Sequence, residues 1–111
     1  MPALLVLVAC PDAACADALA RALVEARHAA CVQVLPGVRS TYRWEGAVEQ
    51  ADEVLLLAKT TPEAWPGLRD AVAARHPYAV PEILAAPASD GLPAYLAWLA
   101  AETGPAPAST P

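Results

Sequence analysis

Two side chains in this sequence carry the donors that a soft or borderline metal ion prefers: the thiol of Cys10 and the imidazole of His76. Thiolate and imidazole together suit copper or zinc. Cys10 closes an apolar run and His76 follows a helical pattern, so both would fall at one end of a sheet. A plainer reading makes Cys10 a small buried hydrophobe and His76 a loop residue bonded to a neighbour. Cys15 and Cys31 read as core residues, and His28 as a solvated imidazole near a helix C-terminus. Three cysteines without a C-x-x-C pair form no disulfide framework, which points to free thiols in a reducing cytoplasm.

Other chemistries lack their residues. The five glycines make neither a GxGxxG run nor a P-loop, and no Gly-x-Ser-x-Gly elbow is present. A net charge of −5, with one lysine and six arginines, offers no basic patch for phosphates and argues against nucleic acid. Hydrophobic residues reach 57%, but 28 of the 111 residues are alanine. The longest apolar run, Ala3 to Cys10, is far short of the roughly 20 residues a membrane helix needs. Leu7-Val8-Ala9-Cys10 has the look of a lipoprotein box, yet no basic residue precedes Arg21, so the segment reads as a buried strand.

The elements that must position these residues follow from periodicity. Ala3–Ala9 reads as a central strand. Asp12 can cap a helix running from Ala13 to about His28, with Leu19 and Leu23 on the apolar stripe. A second strand starts at Cys31, is interrupted by Pro36-Gly37, and resumes from Val38 to Trp44. Its outer part puts Val38, Ser40, Tyr42 and Trp44 on one face, and Arg39, Thr41 and Arg43 on the other. Glu45-Gly46 reads as a hairpin turn. The return strand begins polar (Glu49, Gln50, Asp52, Glu53) and turns apolar at Val54–Ala58, so the hairpin's far end should project from the body. Thr60-Thr61-Pro62-Glu63 opens a helix to about Arg75, with Pro66 awkward inside it. A short strand spans Pro81–Ala86 and a last helix Asp90–Ala101. The expectation is one domain over residues 1–104 and a loose Pro/Ala/Ser/Thr tail over 105–111. The order β-α-β-β-α-β plus a helix predicts an α+β ferredoxin-like sandwich, an antiparallel sheet with helices on one face.

Five blocks then stand in sequence: Ala29-Ala-Cys31-Val with Leu35-Pro-Gly37; Ser40-Thr-Tyr42-Arg-Trp44-Glu45-Gly46; Lys59-Thr-Thr61; His76-Pro-Tyr78-Ala-Val-Pro81-Glu82-Ile83; and Tyr95-Leu-Ala-Trp98-Leu99. In this order they resemble the CutA family of divalent-cation-tolerance proteins over about nine-tenths of the chain. The resemblance implies a homotrimer similar to the PII signalling proteins, and a cytoplasmic binding protein rather than an enzyme. It also implies copper or another divalent metal at Cys10 and His76, although relatives place a second histidine where this chain has Arg75. Tyr42, Trp44, Glu45, Lys59, Tyr78 and Glu82 lie in the matching blocks and would line a cleft or interface between subunits. Such a cleft carries the alternative function, a PII-like module binding a small anionic ligand or a protein partner. A hydrolase on the same fold is a third reading, but Cys10-Pro11-Asp12 puts a carboxylate where a phosphate cradle would sit.

Overall fold

Alternation along the first strand decides the architecture. In β1 (Ala3–Cys10), Val6, Val8 and Cys10 point to one face and are fully buried, whereas Leu5 points to the other and is 36% exposed. The computed structural model describes residues 2–106. After β1 come α1 (Ala13–Glu25), β2 (Cys31–Trp44), β3 (Ala47–Thr60), α2 (Trp65–Arg75), β4 (Ile83–Ala88) and α3 (Pro93–Ala101). The sheet is wholly antiparallel in the order β2-β3-β1-β4, the ferredoxin-like arrangement that the element order predicts. Residues 107–111, most of the expected loose tail, lie outside the described residues.

The core lies between one sheet face and two helices. Val6, Val8 and Cys10 of β1 and Val54, Leu56 and Ala58 of β3 meet Leu19 and Leu23 of α1 and Leu68 and Val72 of α2. Asp12 caps α1 by accepting a hydrogen bond from the Cys15 N–H at 2.8 Å. Thr61 opens the second helical segment, its hydroxyl accepting from Ala64 N–H at 3.2 Å. Regular α2 begins only at Trp65, so Pro66 stands in the first turn, where a missing N–H does no harm.

α1 ends earlier than its apolar stripe suggests, at Glu25. Arg27 takes the left-handed conformation (φ 61°), and the Arg27 and His28 N–H groups bond back to Val24 and Leu23 carbonyls. This is a Schellman stop with arginine where glycine is usual. The side chain compensates. Arg27 Nε donates to Gly104 O and Nη2 to Ala101 O, each at 2.7 Å, while Gly104 N–H returns a bond to Arg27 O at 2.9 Å. One residue thus ends α1 and fastens the C-terminus of α3.

β2 and β3 are fourteen residues each and extend beyond the core. The Pro36-Gly37 interruption appears as a register shift between Leu35 and Val38 within one continuous strand. Glu45 (φ 50°) and Gly46 (φ 82°) make the two-residue turn. The long axis is 57 Å and the radius of gyration 15.1 Å, against about 13 Å for a compact chain of this length. The arm therefore projects, as the polar-to-apolar gradient of β3 predicts.

The sheet's second face is only partly covered. Leu5, Leu35 and Leu84 are 36%, 41% and 61% exposed there. Among the described elements α3 alone lies over it, with Leu99 buried and Tyr95 and Trp98 half-exposed. Because α3 is held by the Arg27 clamp, Arg27→Ala should lower stability by about 2 kcal/mol, the range for hydrogen bonds to a charged group. Hydrogen exchange should show α3 amides losing protection while β1 amides keep theirs; uniform loss across both would mean that the clamp is part of the global core.

Candidate functional site

The open face carries a groove of about 580 Å³ where the arm leaves the body. Tyr42 and Trp44 line it from β2, Glu49 and Glu53 from β3, and Tyr78, Val80 and Glu82 from the loop before β4. Cross-strand pairing explains the hairpin's part, since Tyr42 lies directly opposite Glu49 and Val38 opposite Glu53. Ala9, next in line to Cys10, forms part of the floor.

Glu53 is the unusual member. It is only 9% exposed, and its Oε2 accepts one hydrogen bond, from the Tyr78 phenol at 3.0 Å. Arg39, the nearest arginine along the strand pair, is held instead by Asp52 at 3.6 Å. A buried carboxylate ordinarily acquires a cation or several donors; among the described residues Glu53 has one neutral donor. Its charge is felt nearby. The Tyr78 phenol is pushed up to about 12, first by burial and then by the bond to Glu53 and its charge. Tyr42 is also raised, by burial and then by Glu49 and Glu53.

His76 holds this corner in place. Its Nε2 lies 2.7 Å from Ala9 O, and because a carbonyl can only accept, that nitrogen carries the proton. Nδ1 then accepts from the Tyr78 N–H at 3.1 Å, and the His76 and Tyr78 rings lie 4.7 Å apart. The imidazole is 8% exposed and uses both nitrogens within the fold. Cys10 sits at the same end of β1, but its thiol faces the helices inside the core. Burial, then Cys15, then Asp12 and Glu53 push it from 9.0 to about 12. As folded, His76 presents no free nitrogen lone pair and Cys10 no thiolate to a metal. Among the described residues, no three His, Cys, Asp or Glu side chains stand together as a metal-holding group.

Of the six residues placed in a cleft by resemblance, Tyr42, Trp44, Tyr78 and Glu82 are brought together here. Glu45 occupies the hairpin turn at the tip of the arm. Lys59 stands farther along the sheet, its ammonium 5.6 Å from the centre of the Tyr95 ring. Glu49 and Glu53 were not singled out from sequence. Placing the turn at Glu45-Gly46 and counting outward would have set Glu49 opposite Tyr42 and Glu53 four residues on along the same face.

The family model described as CutA1 divalent ion tolerance protein matches residues 4–102. A divalent-cation tolerance protein CutA of Thermus thermophilus is 50% identical over 99 residues, 89% of this chain and 96% of that protein. One of Pectobacterium atrosepticum is 46% identical over 97 residues, 87% of this chain and 88% of that protein. Among solved structures, the divalent cation tolerance protein from Thermus thermophilus superposes with a TM-score of 0.90 at 49% identity, covering 92% of this chain and 99% of that one. The CutA structure from Xylella fastidiosa gives 0.91 at 41% identity, covering 94% and 100%.

The state of Cys10 can be read by alkylation. A thiol moved from 9.0 to about 12 has about a thousandfold less thiolate at pH 8 than an ordinary cysteine, and thiolate is the reacting form. Iodoacetamide should modify the half-buried Cys15 and Cys31 in the folded protein and Cys10 only after denaturation. Equal labelling of all three would show that Cys10 is open to solvent.

Proposed function

This chain belongs to the CutA1 divalent ion tolerance family, and from that premise we propose that it acts as a homotrimer that binds cations in a groove completed between subunits. The single domain over 1–104 would be the repeating unit. The observation that carries this reading is Glu53, a buried carboxylate that faces a groove with one neutral donor. Glu49 and Glu82 add negative charge to the same groove. Attraction in such a partly enclosed site exceeds that at an open surface.

The trimer is supported by the half-covered sheet. Leu5, Leu35 and Leu84, with Trp44 at 44% exposure on the arm, form apolar surface that neighbouring copies would cover. A divalent metal, copper or a similar ion, is the cation the family name suggests. Since the described residues of one chain assemble no group of three donors, its ligands would be shared between subunits. Binding at Cys10 and His76 would require His76 to release Ala9 O or the Tyr78 N–H, and Cys10 to lose a strongly held proton. We place the protein among cytoplasmic binders rather than enzymes: the groove's hydroxyl groups Tyr42 and Tyr78 have raised pKa values, the opposite of what an activated nucleophile needs. The alternative, a PII-like module, is favoured by the same groove having gathered four of the six expected cleft residues. No helix among the described residues is long and apolar enough to cross a membrane.

Two measurements check this reading. Light scattering on a size-exclusion column should give three times the 11.5 kDa chain mass, and Leu84→Glu should shift it toward monomer. Trp44→Ala should weaken assembly by about 2 kcal/mol if the arm is an interface anchor. Calorimetric titration with Cu(II) and Mn(II) should show binding reduced at least about tenfold in Glu53→Gln, equivalent to about 1.4 kcal/mol, and unchanged in Cys10→Ser. Loss in Cys10→Ser alone would move the ion to the Cys10–His76 corner and remove the groove from this role.

A further inference from the structure

The three groove carboxylates do not converge on a point. Glu53 sits at the root of the arm and Glu49 four residues farther out on the same strand, a separation of about 13 Å at strand rise. Glu82 lies on the opposite wall, in the loop before β4. A single ion seated on any one of them leaves the other two without a counter-charge. Tyr42 stands level with Glu49 and Tyr78 beside Glu53, with Trp44 one pair farther toward the tip, opposite Ala47, and among the described residues neither lysine nor arginine lines the groove. The lining that this chain supplies is therefore electronegative. The pattern asks for positive charges spaced along an apolar connector.

We propose that this groove binds a linear oligoamine, an alkyl chain carrying two or more ammonium groups. The proposal rests on the reading of the groove as a cation site and names the chemical class of ligand. One ammonium meets Glu53, whose Oε2 is already held by the Tyr78 phenol at 3.0 Å, leaving Oε1 to accept from the ligand. A second lies near Glu49, with Glu82 facing the chain from the other wall. The methylene segments lie against the Tyr42 and Tyr78 rings, and the ammonium groups are attracted to the ring faces. A volume of about 580 Å³ falls within the usual range for a small-molecule site. Tyr78 supports the arrangement by staying protonated at neutral pH, so it donates to Glu53 and adds no charge of its own. The neutral His76, bonded to Ala9 and to the Tyr78 N–H, sets where that phenol stands.

The test is calorimetric titration of the intact protein with spermidine, alongside Mn(II) and Cu(II). The expected result is saturable spermidine binding that weakens at least about tenfold in Glu53→Gln and several-fold in Tyr42→Ala, and that falls as salt is raised. Glu82→Gln, which leaves the arm untouched, should also weaken binding and serves if Tyr42→Ala disturbs assembly. Spermidine binding of equal strength in wild type, Glu53→Gln and Glu82→Gln would overturn the proposal in favour of diffuse attraction to an acidic surface. Glu53-dependent metal binding without spermidine binding would overturn it while leaving the groove a metal site. Absence of binding by all three probes would remove both readings together.

Discussion

Everything in this molecule depends on a four-stranded sheet that has a full helical layer on only one of its faces. The pleat divides β1 into Val6, Val8 and Cys10 on one side and Leu5 and Leu7 on the other. The first set finds α1 and α2 and becomes the core. The second finds only α3, a nine-residue helix fastened at its far end by Arg27. With about 25 cal/mol gained per Å² of apolar surface removed from water, a face left half open is a standing drive toward association. The groove lies on that same face, so the proposed assembly and the proposed ligand binding would draw on one surface.

Buried charge is the second theme. Glu53 is nearly as sequestered as the neighbouring Val54, yet its one hydrogen bond among the described residues comes from a neutral phenol. Folding alone would favour an apolar residue at such a place. The surrounding groups are arranged to keep Glu53 directed into the groove: Ala9 orients His76, His76 orients the Tyr78 backbone, and Tyr78 holds one carboxylate oxygen. His76 thus has a structural task that competes with metal ligation, since an imidazole has only two nitrogens.

The order of elements was legible because local signals agreed. Asp12 before an apolar stripe, Thr61 before Pro62, and Glu45-Gly46 between alternating strands each have one common structural outcome. Boundaries were less legible where a side chain overrode a pattern. α1 stops at Glu25 because Arg27 adopts the left-handed region and is held there by contacts more than seventy residues away in sequence. The neighbourhood of Cys10 and His76 could be placed from topology, but the availability of their lone pairs could not. That depends on the Ala9 carbonyl and the Tyr78 N–H, backbone groups invisible to any motif. Glu53 was hidden by company: in the run Glu49-Gln-Ala-Asp-Glu53 nothing marks which acid will be enclosed.

The bulge at Pro36-Gly37 reaches further than its size suggests. Before it, residues paired across β2 and β3 sum to 90, as in Leu35 with Leu55; beyond it they sum to 91, as in Tyr42 with Glu49. The extra residue changes the parity of the arm, so even-numbered residues of β2 join the open face. Had the same residues continued outward in the register that sums to 90, Thr41 rather than Tyr42 would stand opposite Glu49, and the alternation would carry Arg39 and Arg43 into the groove in place of Tyr42 and Trp44. Two guanidinium groups would then face the glutamates and neutralise them internally. The electrical polarity of the groove is therefore encoded in the backbone, as a one-residue phase step, as much as in the glutamates themselves.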